Sequence, residues 1–107
     1  MGIESNTLYG TLNLLVLQAL RDGPLHGLGV ARRIDQSSQG ALKVEEGALY
    51  PALRRLEKRG YLASEWGRTE TGREAKFYEL TDAGEAELAE GVDVWHRYVA
   101  AMARVLG

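Results

Sequence analysis

With 107 residues, 45% hydrophobic and 26% charged, the chain has room for one core and the balance of an ordinary globular domain. It has no cysteine, which excludes disulfides and thiolate zinc sites and fits a reducing compartment, and no apolar run long enough to cross a bilayer. The net charge of −2 hides a gradient: residues 32–76 carry ten Lys/Arg against seven Asp/Glu, and 77–107 carry two against six, so only the middle of the chain suits a polyanion.

The opening "MGIESNTLYG" lacks the basic-then-apolar order of a secretory signal, and the cytoplasm is the expected compartment. A helix is expected over about 7–22, stopped by Gly23-Pro24. Its apolar residues surround most of the cylinder: Leu8, Leu12, Leu15 and Ala19, then Leu14, Val16 and Leu17. A helix apolar all round has to be buried on more than one side, which implies a second chain. "HGLGVARRIDQSS" reads as a shorter helix with Leu28, Ala31 and Ile34 inward, Arg32 and Arg33 outward, and Gly40 after its end.

The next helix, expected over 46–59 and ended by Gly60, contains "GALYPALRRLEKRGYL". Leu49, Leu53 and Leu56 share one face; Gly47, Tyr50, Pro51 and Arg54 lie opposite. Pro51 has no N–H for the carbonyl of Gly47, so the first turn is expected to be irregular. "YLASEW" and "AKFYEL" then read as two strands joined by a polar tip, "GRTETGRE". Thr81 is placed to cap a final helix in which Leu88, Val92, Trp95, Val99, Met102 and Leu106 recur at intervals of four and three, the seam of a coiled coil.

The expected fold is therefore mainly α with a small β-hairpin: a winged helix-turn-helix over 1–80 and a long C-terminal dimerisation helix over 81–107 that packs with the first helix. In such domains the third helix enters a DNA major groove and the hairpin reaches an adjacent groove or the backbone.

The blocks "GTLNLLVLQAL", "GPLHGLGVARRI", "EEGALYPALRRLEKRGYL", "SEWG" and "KFYELTDAG", with the closing tryptophan-bearing helix, resemble the PadR family of transcriptional regulators over nearly the whole chain. The single closing helix resembles its short subfamily. The resemblance implies a homodimeric repressor of a nearby transporter or stress operon. It also implies an interface slot in which a planar aromatic small molecule acts as inducer. Carried over by position, Asn13, Leu14, Val92, Trp95 and Val99 would line that slot. Two departures bear on affinity: Glu45-Glu46 stand where the family often has Ser or Thr, and Glu70 and Glu74 dilute the basic wing.

The residues expected to meet double-stranded DNA are Gly47, Tyr50, Pro51 and Arg54 on the recognition helix, with Arg33, Lys43, Arg68, Arg73 and Lys76 as backbone contacts. Tyr50 is open between the groove and packing on the hairpin. Arg55 and Arg59 suit ion pairs with Glu57 or Glu45 as well as phosphates. The dimer interface is expected at Leu8, Leu12, Leu88, Val92, Trp95, Val99, Met102 and Leu106, with Trp95 open between apolar anchor and ligand-stacking ring. Trp66 is expected in the core or at its rim, and His26 as a hydrogen-bonding residue at a helix start. No cofactor is expected. His26 and His96 lack metal-ligand spacing, and no phosphate loop, nucleophile elbow or acid/base pair appears, so an enzyme is not expected. The rival expectation is a dimeric winged-helix module that binds a protein or small molecule without DNA.

Overall fold

The computed structural model describes residues 11–107. Leu8, and the start of the first expected helix, lie outside the described residues. Among the described residues there are four helices and one three-stranded antiparallel sheet, in the order α1 (Leu12–Ala19), β1 (Leu25–His26), α2 (Gly27–Ser37), α3 (Glu46–Lys58), β2 (Leu62–Arg68), β3 (Glu74–Leu80) and α4 (Asp82–Leu106).

α1 ends three residues before the expected stop: the Leu20 N–H turns back to the carbonyls of Val16 and Leu17, and Gly23 then takes a φ of 143° that its lack of a Cβ permits. After Pro24, Leu25 and His26 form β1, which pairs with β3 through Leu25↔Tyr78 and His26↔Phe77, giving the strand order β1-β3-β2. His26 sits at the N-cap of α2 but makes no side-chain capping bond; its ring lies 5.4 Å from that of Phe77. On α2 the buried positions are Gly27, Val30 and Ile34, so Leu28, expected inward, is turned out and 37% exposed. The helix is rotated to that setting because Gly27 accommodates the ring of Tyr50, leaving the 27/30/34 row as the inner one.

α3 runs unbroken through Pro51. Its first turn carries both an Ala48 N–H and a Leu49 N–H on the Glu45 carbonyl, a local tightening just ahead of the Gly47 carbonyl that Pro51 leaves without a donor. Leu49, Leu53 and Leu56 are fully enclosed and meet Val16 of α1, Leu20 just past its end, and Val30 and Ile34 of α2 in one core. Burying a leucine there contributes about 1.5–3 kcal/mol. Gly60, at φ 85°, ends the helix, and β2 starts two residues later.

Thr81 ties the last helix to the rest. Its hydroxyl donates to the Gly60 carbonyl at 2.6 Å and accepts from the Gly84 N–H at 3.0 Å, while its N–H donates to the Tyr61 carbonyl at 3.1 Å. The cap therefore fixes where α4 leaves the end of α3. Asp82 and Glu85 in the first turn complement the helix dipole. Beyond Leu88 the helix contributes no fully buried residue, and Val94, Trp95, Tyr98, Val99, Met102, Val105 and Leu106 are exposed.

Candidate nucleic-acid interface

The outer stripe of α3 is built by what the inner stripe excludes. With the leucines turned into the core, Gly47 and Arg54 are exposed, and Tyr50 and Pro51 are half-buried at the flank. A Cβ on Gly47 would meet nothing within 4 Å, so the helix start is open to a large partner. Arg54 is in no ion pair or hydrogen bond among the described residues. Tyr50 packs against α2, where a Cβ on Gly27 would lie 2.5 Å from Tyr50 Cε1 and 2.8 Å from its hydroxyl, and it is close enough to Tyr78 of the hairpin to act on that phenol. Gly27→Ala is expected to push this ring outward, into the space that a duplex on α3 would occupy. A half-buried ring can swing, so the stability cost should be about 1 kcal/mol, seen as a small drop in melting temperature, with the larger loss in DNA retention.

The hairpin adds a second face. Side chains of Leu62/Leu80, Ser64/Tyr78, Trp66/Lys76 and Arg68/Glu74 are cross-strand neighbours on the side turned toward α3. Tyr78 is buried, and that burial raises its phenol pKa against the lowering effect of Lys76, whose ammonium lies 5.9 Å from its ring centroid. Phe77, on the other face, packs close to Gly67. Trp66 is 70% exposed, contrary to the expectation of a core or rim residue: β2 continues to Arg68 and carries it past the end of the core, opposite Lys76. A tip of Thr69–Arg73 closes the hairpin through the Thr69 N–H on Arg73 O and the Gly72 N–H on Thr69 O.

Most of the expected backbone-contacting cations already have partners in the chain. Arg33 pairs with Asp22 at 3.7 Å, Lys43 with Asp35 at 3.1 Å and Lys76 with Glu57 at 3.5 Å. Arg68 donates to the Gly72 carbonyl at 3.0 Å, bracing the wing tip. Arg73 is exposed, and its side chain is in no ion pair among the described residues. Ser38 orders the connection into α3, donating to Asp35 O and accepting from the Leu42 N–H.

The expected slot residues divide. Asn13, Leu14 and Trp95 line one groove of about 370 Å³, with Arg55, Arg59 and Tyr98; Val92 lines a different groove and Val99 neither. Asn13 Oδ1 is buried without a hydrogen-bond partner. Arg55 and Arg59 face α4 from the end of α3 and do not pair with Glu57 or Glu45. Leu12 and Leu88, expected at a dimer interface, are buried in the core of their own chain, at 3% and 7% exposure. The heptad seam of α4 thus changes owner along its length: its start is internal, while Trp95, Val99, Met102 and Leu106 are uncovered.

Two helices in a helix-turn-helix, an outer stripe carrying the exposed Arg54 and a hairpin beside it define a winged-helix DNA-binding protein. The chain belongs to the PadR-like family of transcriptional regulators, whose model matches residues 16–90. It is 37% identical over 79 residues to a transcriptional regulator of Mycobacterium tuberculosis, covering 74% of this chain and 70% of the relative. A PadR family regulator from Eggerthella lenta superposes with a TM-score of 0.79 at 34% identity, covering 94% of this chain and 86% of that one. A transcriptional regulator from Clostridium thermocellum gives 0.86 at 25% identity over 98% and 99% of the two chains. The family and these neighbours are regulators rather than enzymes, and no described helix is long and apolar enough to cross a membrane.

Proposed function

We propose that two copies of this chain join through the uncovered half of α4 and bind an operator as a cytoplasmic homodimeric repressor of a nearby transporter or stress operon. Each copy offers α3 to a major groove, the half-sites lying about 34 Å apart, one helical turn. The observation that carries this reading is Arg54: an exposed guanidinium, unpaired among the described residues, mid-stripe on the third helix. Its planar fork suits guanine O6 and N7. The groove holding Trp95 and the unpartnered Asn13 oxygen supports a planar aromatic inducer with a hydrogen-bond donor. Such a ligand acts only by binding one spacing of the two reading heads better than another.

The test compares Arg54→Ala with Arg73→Ala on DNA from upstream of the gene and on random duplex. Loss of Arg54 should cost about 1–3 kcal/mol on the operator alone, erasing discrimination. Loss of Arg73 should weaken both duplexes alike and flatten the salt dependence by about one unit. If the two variants lose affinity equally on both DNAs, Arg54 does not read bases.

A further inference from the structure

We propose that Glu57 is a positioning residue that sets the wing against the recognition helix and withholds Lys76 from the DNA backbone; this rests on the DNA-binding reading above. Glu57 lies on α3 one turn beyond Arg54. Its carboxylate accepts from the Ser64 hydroxyl on β2 and forms an ion pair with the Lys76 ammonium on β3 at 3.5 Å. Ser64 and Lys76 occupy adjacent rungs of the same hairpin face, opposite Tyr78 and Trp66 respectively. The hairpin is otherwise anchored at its base, where Leu62 and Tyr78 enter the core and Thr81 bonds to Gly60 and Tyr61. Among the described residues, no other side-chain hydrogen bond or ion pair joins α3 to β2 or β3. One carboxylate thus sets how the outer wing tilts toward the groove that α3 would occupy.

The same contact removes a charge. A carboxylate facing a polyanion is unfavourable unless a cation offsets it, and the partly exposed pair adds little to stability. Its effect is on binding: Lys76, held by Glu57 and lying over Tyr78, displaces no counterions from DNA. Sequence-independent affinity is lowered while Arg54, one turn away, keeps its full charge. Discrimination of operator from bulk DNA rises accordingly.

Glu57→Gln keeps the volume and an acceptor for Ser64 but deletes the charge. With the released Lys76 meeting a phosphate, random duplex should bind about five-fold more tightly near 0.15 M salt, with the slope of log affinity against log salt steeper by about 0.9. Lys76→Ala alone should leave the slope unchanged, and Glu57→Gln/Lys76→Ala should return it to that of the unaltered protein, since the two sites couple. An unchanged slope in folded Glu57→Gln, or a flatter one in Lys76→Ala alone, overturns the proposal. The Lys76→Ala measurement stands whatever the fate of the glutamine variant. If the unaltered full chain binds no duplex at all, the DNA-binding reading falls and takes this assignment with it; binding with unaltered slopes removes Glu57 only.

Discussion

Gly84→Ala is expected to lower the melting temperature by on the order of 10–20 °C. A Cβ at this position would lie 2.0 Å from the Tyr61 carbonyl oxygen and 3.0 Å from its carbon. Both atoms are backbone, at the junction where α3 has ended and β2 begins, so neither can swing aside. Alanine favours a helix over glycine by about 1 kcal/mol, which acts the other way. Steric displacement wins, because relieving the overlap means moving α4 off the domain. That forfeits the Gly84 N–H bond to Thr81 and the Thr81 bond to Gly60, together about 1–2 kcal/mol, on top of about 1–3 kcal/mol of overpacking. At about 4–8 °C per kcal/mol for a domain of this size, the shift is large enough for any thermal melt. An unchanged melting curve would show that α4 is not seated as described.

The second large effect is at Val99. It is 41% exposed and stands in the row with Trp95 and Met102, beyond the last buried residue of α4. In a symmetric dimer one substitution enters the contact twice. Val99→Glu should bury two carboxylates without partners, at about 3–5 kcal/mol, and weaken association on the order of a hundred-fold or more. Sedimentation at micromolar concentration should find single chains, and the DNA footprint should halve. Leu88→Ala, seven percent exposed inside its own protomer, should instead cost about 2–5 kcal/mol of folding stability. A Val99→Glu protein of unaltered mass would place the dimer contact elsewhere.

These two predictions sit on parts of the molecule that the sequence disclosed to different degrees. The order of the larger elements was legible because local chemistry marks each boundary: Gly23 and Gly60 at positive φ, Thr81 with its hydroxyl on an orphan N–H. β1 was not legible, since two residues have no alternation to detect and the strand exists only because β3 offers it an edge. Leu28 and Trp66 misled for one reason: apolar character indicates a wish for burial, not its fulfilment, and the setting of α2 depends on where one tyrosine ring lies. In the α4 heptad the period was visible. Which stretch faces its own domain and which remains uncovered depends on the reach of α1. Within the candidate interface, the exposure of Gly47 and Arg54 on α3 followed from helical spacing alone, whereas Tyr50 and Pro51 are half-buried by neighbours that spacing does not reveal. The partners of Arg33, Lys43 and Lys76 did not, because Lys76 and Glu57 meet across a whole hairpin that only tertiary placement brings together.

Leu88, the last buried residue of α4, is the pivot for the 18 residues that run out to Leu106, a lever arm of about 27 Å. A tilt of about 3° at that pivot moves the far tip by roughly 1.4 Å. In a pair of such chains joined through these arms, the separation of the two α3 helices follows how α4 is seated on α1, where a Cβ on Gly91 would lie 2.8 Å from Leu14, so small changes in that seat are felt as changes of pitch against a DNA helix.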